Sequence, residues 1–556
     1  MLWKIIQSVK DAWILIFFLI VLMAFNGYVS LWDQDEGAYA VLANDMLENG
    51  HWLAPECQWC FIHRKPPFHF WSIALAYSLF GMNVFAVRFF TAMAVWATLW
   101  LMYKRLRNLI NDTVARLSLI ILGTNLLVLF IGKVALTDAW MLLFYTWSGL
   151  SLWEYLMTEK KSGLIEFYIG MALALLVKGP PFVIFGSILW VLLMIFWPDK
   201  KRIISTNPWI WGILAMFPFM FWLYETYLQN PAYIHWWLDW YVFKRIKQPV
   251  LNQTGPPGSY FLLFGLTFLA YLPFVFYAIF DVFRKKLYRG TVWLYPVLWL
   301  LSGWLVYEFL PSKLPAYVLA AYPPLSIMTA KVLYDFGKGF MPLKIKWLWV
   351  VQWIIYAFFS LAALSIYFWG LIRFHWKPVE SRSLSVLITA VLFFVLIYLS
   401  VVAYQLAMKR DFIRSAGMII YSSLLLVGGI FAVVYPLSEP LRNATKEVAS
   451  IIEGRNRKEF DKILITNDFG KPPSLIFYLK KSFPGKEIII YDAPDKDQYV
   501  LQRFGDEKSI WVITPGQYAR LKRRLENLEK KFKILRVKSL NTGRIGENDY
   551  VIIFKL

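Results

Sequence analysis

Apolar runs close to the roughly 20 residues that cross the hydrocarbon of a bilayer recur along most of this chain, and nothing else in it restricts the fold so strongly. They include Trp13–Leu31, Val84–Met102, Val114–Gly132, Ala139–Leu156, Leu164–Val177, Pro181–Trp197 and Trp209–Tyr227. Further runs are Ser259–Phe280, Val292–Leu310, Leu314–Ala330, Trp347–Trp369, Ser385–Tyr404 and Ala416–Tyr435. In lipid the backbone must satisfy its hydrogen bonds internally, so each run reads as a helix, about thirteen in all. The 556 residues are 59% hydrophobic and 19% aromatic, beyond the roughly 45–50% apolar content of soluble domains. The expected class is a polytopic α-helical membrane protein.

Basic residues favour the cytoplasmic side of short loops. With Lys4 and Lys10 cytoplasmic, every second loop is basic: Lys104/Arg105/Arg107, Lys160/Lys161, Lys200/Lys201/Arg202, Arg284/Lys285/Lys286/Arg289, Lys331/Lys338/Lys344/Lys346 and Lys409/Arg410/Arg414. The net charge of +22 therefore reads mainly as topology, and no nucleic-acid partner is expected. Residues 1–435 form the expected transmembrane domain, with outer loops at 32–82 and 228–258. From 436 to 556 the sequence becomes charged and mixed, and short β-rich runs alternate with helical ones, as in a small extracytoplasmic α/β domain. That stretch has no Gly-rich phosphate loop, no H-E-x-x-H and no nucleophile elbow.

The first outer loop is dense in chemistry. Asp35-Glu36 opens an apparent amphipathic helix carrying Tyr39, Leu42 and Met46 on one face, suited to lie along the membrane surface. Either acid could serve simply as a helix-dipole partner. Arg64-Lys65-Pro66-Pro67 holds two cations at a rigid turn, suited to phosphate oxygens or to headgroup anchoring. Cys57 and Cys60 are the only cysteines; in an oxidising compartment they favour a disulfide, while His63 beside them keeps a metal open. Farther along, Asp138 starts one apolar run, Lys178 ends another, and Lys313 sits in the Pro311–Pro315 link. Arg245 belongs to a basic, tryptophan-rich loop that ends in Gly255-Pro256-Pro257-Gly258. Capping explains Asp138 and snorkelling explains Lys313 equally well taken singly. Topology puts all of them on one side of the membrane. A carboxylate among cations there fits group transfer from a phosphate-activated lipid, the acid taking a hydroxyl proton and the cations stabilising the departing phosphate.

DEGAYAVLANDMLENGHWLAP followed by KPPFHFW resembles the first outer loop of the GT-C integral-membrane glycosyltransferases of the protein O-mannosyltransferase superfamily, most closely the lipid A aminoarabinose transferase branch. Thr137-Asp138, Lys178-Gly179, Gly255-Pro256-Pro257 and Lys313-Leu314-Pro315-x-Tyr317 follow in order. The resemblance implies sugar transfer from a polyprenyl-phosphate donor to a glycolipid or protein acceptor. By motif position Asp35 would be the base and Glu36 its support; Lys65, Arg64, Lys178, Arg245 and Lys313 would meet the donor phosphate. Asp138 would orient acceptor or cations, with Tyr39 and Tyr317 in the pocket. Arg64 and the cysteine pair depart from the branch's pattern, which leaves the sugar and any divalent metal open. The expected setting is a bacterial inner membrane, with membrane lipids as partners, the N-terminus inside and the C-terminal domain outside. Protein O-mannosyltransferase-like glycosylation, or a transporter or flippase of lipid-linked sugar, are the alternatives.

Overall fold

The computed structural model describes residues 11–32, 35–57, 60, 64–244, 254–284, 291–339, 346–373, 377–437, 439, 444–454, 460–466, 473–491, 497, 500, 509–525, 532–537 and 550–555. Contacts divide the chain into two units: Met1–Asn26, Lys65–His69 and Arg88–Val434 form one, and Gly27–Arg64, Phe70–Val87 and Tyr435–Leu556 form the other.

The first unit is helical, as its apolar runs require. Among the described residues seven helices are long and apolar enough to cross a membrane, or nine if two bent pairs each count as one span. The protein is thus a multi-pass membrane protein, but the expected count of about thirteen is not reproduced. Polar residues explain part of the shortfall. The expected span Val114–Gly132 bends by 61° between Asp112–Gly123 and Leu126–Lys133. There the Asn125 side chain accepts from the amides of Leu127 and Val128, starting a new helix. Ser259–Phe280 bends by 92°, at the 3₁₀ turn Leu269–Tyr271. The first helix ends at Met23. Beyond it Phe25 turns left-handed at φ 60°, breaking the helix, and the Ala24 and Asn26 carbonyls accept from Lys133 Nζ at 2.6 Å and Arg88 at 3.0 Å.

Two helices of this unit position the functional groups. Thr137–Thr158 and Lys161–Lys178 form an antiparallel hairpin that turns on Glu159, which adopts a left-handed conformation with φ 61°. Arg105 holds the turn end by pairing with both Glu154 and Glu166. Glu166 Oε2 also accepts from Trp147 Nε1 and Ser151 Oγ, each at 2.8 Å.

The second unit carries a five-stranded sheet of order β2-β1-β3-β5-β4, with β1 Lys462–Thr466, β2 Glu487–Tyr491, β3 Ser509–Ile513, β4 Phe532–Val537 and β5 Tyr550–Lys555. β1 is parallel to β2 and β3, while β5 runs antiparallel to β3 and β4. Leu464, Trp511, Ile513, Val551 and Ile553 bury one face. The small α/β fold read from residues 436–556 is therefore present. One expectation changes: helix Asp35–Asn49 does not lie on a surface with one apolar face. Every residue from Glu36 to Met46 is buried. It packs on helix Pro473–Ser482 so closely that a Cβ at Gly37 would stand 2.4 Å from the Ser474 nitrogen. Gly37 is part of its packing surface.

Candidate active site

In the helical unit Asp138 lies in the first turn of Thr137–Thr158 and Lys178 in the last turn of Lys161–Lys178, each where its charge complements the helix dipole. Lys178 Nζ donates to Asp138 Oδ1 at 2.5 Å, with the side chains 16% and 11% exposed. Gly179 ends the helix at φ 79°, and a Cβ there would meet the Trp237 ring at 2.9 Å, so backbone and sterics both demand glycine. The ion pair lines a cavity of about 150 Å³ walled by Tyr145, Trp237, Tyr241, Tyr307 and Tyr317. Lys178 Nζ stands 5.8 Å from the Tyr317 ring centroid. Ser312 also lines this cavity, and its buried hydroxyl has no hydrogen-bond partner among the described residues.

Lys65 reaches the same wall. Its ammonium lies 6.0 Å from the centre of the Tyr241 ring. Tyr233 fixes its backbone twice: the Lys65 amide donates to the Tyr233 hydroxyl at 3.0 Å, and that hydroxyl donates to the Lys65 carbonyl at 2.9 Å. Phe68 then seats the Lys-Pro-Pro turn edge-on against Trp140 and Phe144, with centroids 5.0 and 5.6 Å away. His69, fully buried behind it, has its pKa pushed down to about 3, first by burial and then by the Lys65 charge, while a backbone bond at Ala135 and the Asp138 charge pull the other way. It is a neutral imidazole at physiological pH. Sequence reasoning passed over this residue, although it stands in the quoted KPPFHFW motif.

Lys313 is placed differently from the expectation. Its Nζ donates to the carbonyls of Tyr307 and Glu308, each at 2.6 Å, capping the end of helix Thr291–Phe309, and lies 5.1 Å from the Tyr260 ring. Burial lowers its pKa, against an opposing pull from Glu308. Glu308 was also missed. Its carboxylate accepts from the Gly258 amide at 2.9 Å, the Phe261 amide at 3.2 Å and Trp304 Nε1 at 2.8 Å, tying the Gly-Pro-Pro-Gly loop to this helix. A lone acid near the end of an apolar run is the signal that could have revealed it. Arg245 lies outside the described residues.

The second unit holds the other expected residues. Asp35 is half-buried and accepts from the Tyr39 hydroxyl at 3.3 Å. Tyr39 is fully buried, with its ring 5.7 Å from Phe70. Glu36 is also fully buried and accepts from the Trp32 amide at 2.8 Å. Arg64 faces Glu56 at 3.5 Å. Cys57 and Cys60 form a disulfide with Cα atoms 5.2 Å apart, which removes the thiolates a metal would need. His63 lies outside the described residues, and among the described residues no group of three or more His, Cys, Asp or Glu could hold a metal.

Three comparisons bear on this arrangement. Residues 64–224 match the family described as dolichyl-phosphate-mannose-protein mannosyltransferase. An undecaprenyl phosphate-alpha-4-amino-4-deoxy-L-arabinose arabinosyl transferase of Proteus mirabilis is 28% identical over 60% of this chain and 61% of its own length. The corresponding transferase of an Enterobacter species is 25% identical over 87% of this chain and 85% of its own. An uncharacterised Aquifex aeolicus protein is 28% identical over 63% of this chain and 68% of its own. Among solved structures, ArnT from Cupriavidus metallidurans bound to undecaprenyl phosphate superposes with a TM-score of 0.71 at 16% identity, covering 98% of this chain and 97% of that one. The fold is that of the GT-C glycosyltransferases. The likeness first read in the outer-loop motifs thus extends, as a GT-C architecture, through the helical unit and the C-terminal sheet.

Proposed function

We propose that this protein is a membrane glycosyltransferase that moves a sugar from a polyprenyl-phosphate donor to a hydroxyl or phosphate of a glycolipid, lipid A being favoured, with inversion at the anomeric carbon. The observation that carries the proposal is the Lys178–Asp138 pair in a tyrosine-walled cavity, with Lys65 at its edge. Tyrosine faces suit a sugar ring, and the two lysines suit the phosphate that leaves with the polyprenyl chain. The named relatives, which act on undecaprenyl-phosphate aminoarabinose, support this donor class.

In the proposed reaction the acceptor oxygen attacks the anomeric carbon as the bond from that carbon to the phosphate oxygen breaks. The electron pair stays on the polyprenyl phosphate, where Lys65 and Lys178 stabilise it. Asp35, the more exposed of the acidic pair, takes the acceptor proton. Glu36, bonded to the Trp32 amide, and Tyr39, bonded to Asp35, hold the base in position. Asp138 orients Lys178 until the donor phosphate competes for it. Arg64, Arg245 and Lys313 are assigned supporting positive charge near the donor, Lys313 chiefly through its hold on the Thr291–Phe309 helix end. The proposed setting is a bacterial inner membrane, with the reaction on its outer face and the N-terminus inside.

The test is transfer by the purified protein from a radiolabelled polyprenyl-phosphate sugar, with lipid A, another glycolipid or a protein supplied as acceptor. The label should appear on lipid A. Label on protein would redirect the reading to protein glycosylation, and movement of intact donor across vesicles without transfer would indicate a flippase.

A further inference from the structure

A second cavity, of about 360 Å³, lies in the helical unit between helices Lys161–Lys178, Pro181–Phe196 and Pro208–Gln229. It takes no part in the chemistry above. Its walls include Phe167, Met171, Val183, Leu193, Ile213 and Met216. Their polar neighbours are already bonded: the Tyr168 hydroxyl donates to the Thr206 carbonyl at 2.9 Å, and Trp190 Nε1 to Thr206 Oγ1 at 3.3 Å. Apart from the exposed Ser187, the lining offers little to a polar ligand.

Two glycines keep the groove open. A glycine inside a helix costs roughly 1 kcal/mol against alanine and is usually explained by a neighbour that leaves no room for a Cβ. Gly212 is buried, yet a Cβ there would meet nothing within 4 Å; at Gly186 it would meet only the Phe167 ring, at 3.9 Å. Among the described residues no atom crowds either position. A slender apolar occupant between the helices explains both glycines.

Charge suggests which occupant. The groove runs along Pro181–Phe196 away from Lys178, and the far end of that helix leads into the short basic helix Lys200–Ile204. Arg202 is engaged by Glu159 and Asp199. Lys200 donates to the Ile195 carbonyl at 2.8 Å, Lys201 is exposed, and neither has a carboxylate partner among the described residues. Trp209, 71% exposed and close after this helix in sequence, stands edge-on to Trp190 in the groove lining. Lysine and tryptophan at the end of an apolar groove match the headgroup region of a leaflet. We propose that this groove binds an acyl chain of an anionic glycerophospholipid from the leaflet opposite the reaction site, with its headgroup phosphate held by Lys200 and Lys201.

The purified full-length protein would be exchanged into detergent with phosphatidylglycerol or phosphatidylcholine at equal concentration and examined by native mass spectrometry and thermal unfolding. Phosphatidylglycerol should stay bound, one per chain, and raise the unfolding temperature more than phosphatidylcholine. Lys201→Gln, an exposed change that leaves the groove intact, should reduce that preference about fivefold. Gly212→Leu should abolish retention while sugar transfer persists. Equal retention of both lipids, or unchanged binding by both variants, would overturn the proposal. So would displacement of the bound lipid by polyprenyl phosphate, which would assign the groove to the donor's tail.

Discussion

Lys178 Nζ and Asp138 Oδ1 meet at 2.5 Å across a helical hairpin, 40 residues apart in sequence, at the mouth of the tyrosine-walled cavity. A pair serving only the fold and a pair serving the phosphate answer differently to substitution. Asp138→Asn leaves a largely buried ammonium without its carboxylate and should destabilise by about 1–3 kcal/mol. Asp138→Asn/Lys178→Gln should recover most of that stability, since no charge is then stranded. Transfer should nevertheless stay down by about 10²–10³ in kcat. Unfolding temperature and single-turnover transfer on the two variants and the unsubstituted protein measure both; recovery of transfer in the double variant would reduce the pair to a structural one.

His69 makes stability depend on pH. In the unfolded chain it takes a proton near its ordinary 6.5; in the fold it stays neutral down to about 3. Between those values the unfolded state binds more protons, so the contribution is complete above about 6.5 and is lost as the pH falls. Near pH 5 the loss should reach about 2 kcal/mol. His69→Gln should flatten this part of the profile of unfolding temperature against pH, whatever it does to stability at neutral pH.

Much of this was legible in the chain because apolar period and turn residues act locally. The strands β1 to β5 coincide with the β-rich runs of the last 120 or so residues. The meeting of Asp138 and Lys178 was legible too, because loop alternation put the start of one helix and the end of the next on the same side of the membrane. What sequence alone left hidden depends on contacts distant in the chain. Helix Asp35–Asn49 appeared amphipathic because nothing local announces that Gly37 will touch Ser474. Lys313 was read as a snorkelling or phosphate-binding cation, and its hold on the helix end stayed hidden because its partners are main-chain carbonyls, which carry no residue signature. The bends at Asn125 and Leu269 merged into longer apolar runs since neither contains enough charge to interrupt them.

The acidic pair should separate by substitution. Asp35 is half-buried and accepts from the Tyr39 hydroxyl, and Asp35→Asn keeps the shape and one acceptor oxygen, so it should change stability less than a loss at the fully buried Glu36 while lowering kcat by about 10²–10⁴. Glu36 is fully buried on the Trp32 amide, so Glu36→Leu strands that donor and should cost about 1–3 kcal/mol. Its remaining transfer should track the folded fraction. Parallel measurement of unfolding temperature and kcat decides; a normal kcat in Asp35→Asn would move the base elsewhere.

Glu308 should act on the site through the loop it holds. Its carboxylate gathers three donors, two from the backbone at Gly258 and Phe261 and one from Trp304. Glu308→Gln keeps the shape but replaces one acceptor oxygen with an NH₂ group, setting donor against donor at one of the two amides. Hydrogen exchange of the amides from Gly258 to Phe261 should therefore accelerate by about tenfold, as expected for a lost bond of roughly 1.4 kcal/mol. Lys313 is bonded to the Glu308 carbonyl, and its side chain lies 3.1 Å from the Cβ position of Gly255 in the same loop. Loosening this loop should raise KM for the polyprenyl donor more than it lowers kcat. Glu308→Ala should widen both effects in the same proportion, whereas a fall in kcat alone would place Glu308 in the chemistry itself.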